Sequence, residues 1–312
     1  MKKINFFALL SFVILANPAY SQGYLKLGGG YSLSVSNDNF STPITIVERT
    51  SPTSNTIISK ENIYGTIGSG GNLRIAGGYT FTKNFGLELD IYYLFGQKKY
   101  VTESTNITSN VNEISFAYTR QLRATPSFFV RASDGLIRPY AGFGAVLPLM
   151  GFTYVELDRT DPVANNNTYL VRKVSGNFTV GFESYMGANI SWPNENFNIF
   201  AELRYTGLRI KSKHAETIQY DFTDLNTDEV TDNVGSLTVF EREINFVDRL
   251  TSESNAFEGV GGINTTSVDR DKPMDKLTST NNFNALGINI GVRMNMVKKI
   301  KKEEILDNMQ VF

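Results

Sequence analysis

The chain has 312 residues, no cysteine, one histidine, and 30 basic against 31 acidic residues. The lack of cysteine excludes disulfides and thiolate metal ligands, and a single histidine excludes a metal site that needs two. The near-neutral charge argues against a nucleic-acid partner, which requires a basic face.

Residues 1–21 predict a secretory signal peptide. Two lysines precede an apolar run over residues 6–16, and Ala19 and Ser21 supply the small residues that come before cleavage at Gln22. The apolar run is shorter than the roughly 18 residues that a membrane-spanning helix needs. No longer apolar run follows, so a membrane location would require a closed β-barrel.

The rest of the chain is dominated by alternating apolar and polar residues. In Phe85–Phe95 the odd positions are apolar or aromatic, and the even positions include Glu88 and Asp90. A period of two indicates a β-strand with one apolar and one polar face. Eight strands are predicted, at residues 23–36, 71–81, 85–96, 113–129, 137–152, 174–190, 197–211 and 283–296.

The connections between these strands alternate in length, which is typical of outer-membrane barrels with short periplasmic turns and long extracellular loops. The predicted fold is therefore all-β, an antiparallel up-and-down transmembrane barrel of eight strands. Strand-like pieces in the first and last long loops are expected to extend the barrel above the membrane. A ten-stranded barrel that uses the last of these hairpins is the alternative. The long connections cover residues 37–70, 97–112, 153–173 and 212–282.

The parity of each strand separates a lipid-facing set of side chains from a lumen-facing set. Because an eight-stranded barrel is just wide enough for side chains to fill it, charges in the lumen must pair. Inward-facing glycines are expected to make room for the long arginines. Parity leaves Arg120 on the lipid face, which a bulge near Pro126 or snorkelling to an interface would resolve. The predicted lumen network consists of Lys26, Arg74, Glu88, Asp90, Arg123, Arg138, Glu183, Glu202, Arg204 and Arg293.

Several segments resemble the OmpA-type eight-stranded outer-membrane barrels. The resemblance implies an outer-membrane location, insertion by the barrel-assembly machinery, contact with outer-membrane lipid and lipopolysaccharide, and a lumen filled by side chains. Two features depart from the family pattern: no peptidoglycan-binding periplasmic domain follows, and a charged tail comes after the last predicted strand. The segments are Phe85–Gly96 (FGLELDIYYLFG), Arg138–Ala145 (RPYAGFGA), Phe200–Arg209 (FAELRYTGLR) and Leu286–Met294 (LGINIGVRM).

These observations divide the chain into a signal peptide (1–21), a barrel (22–297) and a periplasmic tail (298–312). We predict a monomer with a structural or surface-interaction role, no enzymatic activity, and no cofactor or metal site. The loops 37–70 and 212–282 are the expected sites for an extracellular ligand.

Two other hypotheses remain open. A small passive porin-like channel is the alternative, because the predicted lumen is polar and rich in glycine. An outer-membrane enzyme centred on His214 is the third hypothesis, with Ser212, Glu216 and Asp221 as nearby polar groups.

Overall fold

The structure is a computed structural model that describes residues 22–35, 44–51, 54–132, 135–191, 197–256 and 268–296. The predicted signal peptide, the predicted tail and Trp192 lie outside these residues. The strands, in chain order, are β1 Gln22–Ser34, β2 Ile44–Ser51, β3 Ser54–Glu61, β4 Gly70–Thr80, β5 Phe85–Gly96, β6 Lys99–Asn106, β7 Val111–Arg131, β8 Ile137–Asp161, β9 Asn166–Gly176, β10 Gly181–Ser191, β11 Phe197–Gly207, β12 Arg209–Asp224, β13 Glu229–Asp232, β14 Glu243–Val247, β15 Met274–Leu277, β16 Thr280–Asn282 and β17 Ala285–Asn295.

Eight of these strands form a closed barrel. Its order is β1, β4, β5, β7, β8, β10, β11 and β17, and each strand is antiparallel to the next. The ring closes because β17 also pairs with β1, from Tyr24 opposite Asn295 to Ser34 opposite Ala285. Closure leaves no free sheet edge in the barrel, which a membrane requires. The prediction of eight strands is confirmed, and the ten-stranded alternative is wrong.

The outward face is apolar, as parity predicts. In β5 the odd residues are exposed or half-buried and the even residues are buried from Gly86 to Gly96. Leu73 of β4 and Ile288 and Ile290 of β17 are 60–63% exposed, as expected of a face that is turned toward lipid. No helix in the described part of the chain is long and apolar enough to span a membrane.

Arg120 lies on the outward face at the extracellular end of the barrel. Its Nη1 donates to the carbonyl oxygen of Gly96 at 2.8 Å, and its guanidinium lies 5.2 Å from the centre of the Tyr118 ring. The pairing of β7 with β8 has a bulge at Leu149, which lies opposite no residue of β7. The bulge is on β8 and leaves the parity of β7 unchanged. Arg120 therefore stays on the outward face and is tolerated there because it lies at the end of the barrel.

Above the barrel, the strands continue into what we call the extracellular extension. It comprises the outer parts of β7 and β8 together with β2, β3, β6, β9 and β12–β16. The prediction of a loop over 153–173 is wrong, because β8 runs on to Asp161 and pairs there with β9 and β7. Outside the membrane a paired strand needs no apolar face, so its sequence lacks the alternation used to find strands.

Two other boundaries differ from the prediction. The segment 174–190 is divided between β9 and β10, with residues 177–180 irregular, and the segment 197–211 breaks at Leu208 between β11 and β12. The first predicted hairpin forms as β2 and β3. In the second, a helix α1 (Val239–Arg242) interrupts the expected strand, and β14 pairs with residues 214–216 of β12.

Candidate functional site: the barrel lumen

An ionic network fills the middle of the lumen, and Glu202 of β11 lies at its centre. The Nζ of Lys26 is 2.5 Å from Glu202 Oε1, and the Nε of Arg204 is 2.6 Å from Oε2. Arg74 Nη1 approaches Oε2 at 3.3 Å, and the Tyr140 hydroxyl donates to Oε1 at 2.6 Å. Three cations and one hydroxyl thus surround a carboxylate whose side chain is fully buried.

Arg204 joins Glu202 to the other three carboxylates of the lumen. Its Nη1 pairs with Glu183 and lies 3.3 Å from Asp90 Oδ2, and its Nη2 lies 3.5 Å from Glu88 Oε1. Lys26 also contacts Glu88, at 3.0 Å. Seven of the ten predicted charges therefore form one connected, buried network, which includes the pair between Arg74 and Asp90.

The remaining three predicted charges lie apart from that network. Arg293 is 3% exposed and stacks on the ring of Tyr24, with its guanidinium carbon 3.6 Å from the ring centre. Arg123 is also 3% exposed and donates to the side-chain oxygen of Gln121 at 2.5 Å. Arg138 is only half-buried at the turn between β7 and β8, where its Nε donates to the Gly135 carbonyl at 3.1 Å. The prediction that Arg138 belongs to a buried network is therefore wrong, because the barrel ends at the level of this turn.

Aromatic side chains close the periplasmic end of the lumen. Tyr24, Phe129, Tyr140 and Tyr185 form one buried cluster, with edge-on contacts between Tyr24 and Phe129 and between Tyr140 and Tyr185. Tyr24 also donates to Glu88 at 2.7 Å, so the cluster supports the network above it. Sequence reasoning missed these tyrosines as site residues, although Tyr24 has the same parity as Lys26.

Several of the inward glycines make room for aromatic rings, and a Cβ added to any of them would have no arginine side chain among its nearest neighbours. A Cβ on Gly28 or on Gly291 would lie 2.7 Å from Phe200 Cζ, and one on Gly142 would lie 2.5 Å from Tyr185 Cζ. A Cβ on Gly78 would overlap the ring of Tyr24. The expectation that glycines accommodate arginines is thus wrong, because these rings lie over the glycines that pair with them on the adjacent strands: Tyr24 over Gly78, Tyr185 over Gly142 and Phe200 over Gly291.

An apolar cap closes the extracellular end of the lumen. Ile67 and Phe283, from two segments outside the barrel strands, pack with Val146, Leu208 and Ile210 at exposures of 5% or less. Backbone hydrogen bonds fix the cap, since the N–H of Ile67 donates to Asn282 and that of Phe283 donates to Leu208. No sequence pattern predicted this cap, because its two central residues are more than 200 positions apart.

A cleft of about 240 Å³ interrupts the barrel wall beside the cap. It lies where β8 passes from pairing with β10, which ends at Val146, to pairing with β9, which begins at Phe152. Pro148 has no N–H to offer a neighbouring strand, and Gly151 has a φ of +155° that favours glycine. Inward, the cleft reaches Gln121 and the Phe283 ring.

The residues proposed for an enzyme do not come together. His214 Nδ1 lies 3.1 Å from the Asn245 amide oxygen, and the Ser212 hydroxyl lies 3.0 Å from the hydroxyl of Ser279. Asp221 instead accepts a hydrogen bond from Gln219 at 2.5 Å. Within the described ranges, no group of three or more histidine, aspartate or glutamate side chains is placed to hold a metal ion.

Comparison with known proteins gives a family match and a similarity to solved structures. The family model described as outer membrane protein beta-barrel domain matches residues 6–239. The crystal structure of the outer membrane protein OprG from Pseudomonas aeruginosa is similar, with 12% identity and a TM-score of 0.38, over 89% of this chain and 97% of that chain. A comparison with curated proteins finds no matching relative.

Proposed function

Because the chain belongs to the family of outer membrane protein beta-barrel domains, and is located in the outer membrane, we propose that it is a non-enzymatic barrel with a closed lumen that acts at the cell surface through its extracellular extension. The observation that carries this proposal is the filling of the lumen at three successive levels. The aromatic cluster, the ionic network and the apolar cap are all buried, and together they occupy the lumen from its periplasmic to its extracellular end.

The size of the extension supports a role outside the membrane. Closing eight strands requires only short connections. Instead, the described residues form nine strands and a helix beyond the barrel, and β8 alone extends over 25 residues. Apolar side chains of the extension also remain exposed, among them Ile57, Ile58 and Val230 at 52–61%. Such side chains are available for contact with a partner at the cell surface.

Planar-bilayer conductance of the refolded mature protein tests the closed lumen. Insertion is first verified by the heat-dependent gel shift. We expect an inserted barrel without discrete conductance steps. Discrete channels whose ion selectivity changes in Glu88→Gln would overturn the proposal and favour the passive porin-like channel.

A shortened variant tests the role of the extension. The N–H of Ser212 donates to the carbonyl of Ser279 at 2.8 Å, so residues 213–278 can be replaced by a two-residue turn that closes a hairpin. We expect the variant to insert normally, while cells that display it lose aggregation in suspension and retention on glass. Adhesion equal to that of cells with the full chain would show that the extension has no such role.

A further inference from the structure

Arg123 is a buried cation without a carboxylate partner among the described ion pairs. Its guanidinium carbon lies 5.4 Å from the centre of the Tyr92 ring and 5.7 Å from that of Phe283. Its Nε donates to Gln121, but its Nη2 is buried and contacts no acceptor. A guanidinium held between two rings still has N–H groups to satisfy, so Nη2 points to an absent acceptor.

Further polar atoms without partners lie one inward-facing row from Arg123, in the row of its partner Gln121. Leu94 is paired with both Asn72 and Gln121, so these two amides project inward on either side of it. Asn72 is 4% exposed, and neither its Nδ2 nor its Oδ1 has a partner. Asn289, which flanks Gly30 opposite Asn72, has an unpaired Oδ1. Buried amides are nearly always satisfied by protein, water or ligand, so this level holds something polar.

The charge balance of the lumen identifies the sign of that missing group. Among the residues that the structure describes, five cations and four carboxylates are at most 5% exposed in the lumen, which gives an excess of one positive charge. An uncompensated charge is expensive in a medium of low dielectric. Arg123 and Arg293 are the two of these cations that contact no carboxylate among the described ion pairs, because Lys26, Arg74 and Arg204 all do. Of the two, Arg123 is the one whose partner Gln121 lines the cleft. The buried cations are Lys26, Arg74, Arg123, Arg204 and Arg293, and the carboxylates are Glu88, Asp90, Glu183 and Glu202.

The cleft in the barrel wall supplies a route to this site. Its inner lining includes Gln121, whose side chain contacts Arg123, and Phe283, whose ring covers the same guanidinium. Arg123 thus contacts two residues that line the cleft, Gln121 and Phe283.

We propose that the upper lumen binds one small monovalent anion of halide size, held by Arg123 Nη2 and the Asn72 amide. The anion neutralises the excess positive charge and satisfies donors that the protein leaves unpaired. It is a resident structural ion between the ionic network and the cap, and the proposal does not depend on the role of the extension.

Crystals of the detergent-solubilised protein soaked in sodium bromide test the site directly. We expect an anomalous bromide peak within hydrogen-bond distance of Arg123 Nη2. The proposal is overturned if that position contains only water, or if bromide binds only at the protein surface as an adventitious ion.

Stability in different salts gives a second measurement. At constant ionic strength, replacing gluconate by chloride is expected to raise the midpoint of the heat-dependent gel shift by about 2–4 °C, because a ligand that binds only the folded state stabilises it. Arg123→Gln should remove this dependence. Arg120→Gln, on the outward face of the same strand, is the matched control and should keep it.

Gln121→Glu is the sharpest variant, since it can be interpreted even if Arg123→Gln fails to fold. The new carboxylate would lie where Gln121 Oε1 now accepts from Arg123, and it would provide an internal counter-ion. We expect this variant to lose both the bromide peak and the chloride dependence. Retention of either one would refute an anion bound for charge balance.

Discussion

The lumen of the barrel and its extracellular extension use the same charged residue types in opposite ways. In the lumen, Lys26 and Glu202 pair at 2.5 Å with side chains at most 4% exposed. In the extension, Lys211 and Asp248 pair at 3.3 Å with side chains 58% and 78% exposed. Removing a partner from a buried pair is costly, whereas exposed pairs contribute about 0–1 kcal/mol.

This difference indicates which part of the molecule is fixed and which part is open to change. Every charge in the lumen network is held by several neighbours, so a single substitution there leaves other charges unpaired. Solvent replaces the lost partner in the extension, so its charges are free to vary. A region that tolerates substitution is suited to be a recognition surface. A region that does not tolerate substitution is suited to be a scaffold.

The largest expected effect comes from Glu202→Gln. The change removes the charge that Lys26, Arg74 and Arg204 share, and it leaves these buried cations with fewer carboxylates than before. We expect the free energy of unfolding to fall by about 3–5 kcal/mol. Urea unfolding in lipid vesicles measures it, with Glu216→Gln on the exposed face of β12 as the control. A loss no greater than that of the control would mean that the network does not stabilise the barrel.

The second largest loss of stability is expected from replacing a glycine that faces the lumen. In Gly28→Ala the new Cβ would lie 2.7 Å from Phe200 Cζ and 2.8 Å from the Ile290 carbonyl oxygen. The ring or the strand has to shift, and the expected loss is about 1–3 kcal/mol. Gly77→Ala is the matched control, because its Cβ meets nothing within 4 Å on the outward face. The measurement is again urea unfolding. Equal losses of unfolding free energy in the two variants would show that the Phe200 ring moves aside without cost.

These two predictions depend on the side chains of the lumen, and the sequence predicted the charged ones but not the aromatic ones. Alternation in β5 predicted which side chains enter the lumen, because a strand has only two faces and lipid accepts only one kind. The charged residues Glu88, Asp90 and Arg204 were found in this way. The same parity also pointed inward at Tyr92 and Leu94, but their apolar character did not mark them as part of a polar lumen.

The cap and the outer half of β8 escaped prediction for a different physical reason. Ile67 packs with Phe283 although the two residues are far apart in the sequence, and no local hydrophobic period encodes such a contact. The outer half of β8 is stabilised by strand pairing on both sides and has no lipid to face. Its polar sequence therefore resembles a loop, although its backbone hydrogen bonds are those of a sheet.

A smaller effect is expected from Lys211→Met in the extension. The variant removes the pair with Asp248, but both partners are well exposed and screened by solvent. The free energy of unfolding should change by less than about 1 kcal/mol. The same urea titration checks it. A loss comparable to that of Glu202→Gln would remove the contrast between scaffold and surface.

The smallest effect is local and depends on pH. The Glu241 carboxylate at the start of α1 accepts the N–H of Thr238 at 2.9 Å and its hydroxyl at 2.8 Å, and these hydrogen bonds lower the pKa of Glu241 below 4.5. A lowered carboxyl pKa means that the stabilisation is present above the ordinary glutamate value and is lost as the pH falls through the lowered value. Hydrogen exchange of α1 should therefore be slower in the wild type than in Glu241→Gln at pH 6.5, and the two should converge near pH 3.

Glu253→Gln, an exposed change outside α1, is the control for this comparison and should leave the exchange of α1 unchanged at both pH values. The hydrogen bonds between Glu241 and Thr238 lie at the exposed surface, so their loss should not move the midpoint of global unfolding. A shift of that midpoint in Glu241→Gln would show that α1 is coupled to the barrel, and the extension would then behave as a continuation of the scaffold. An effect confined to α1 would mean that the surface of the extension can change without altering the barrel beneath it.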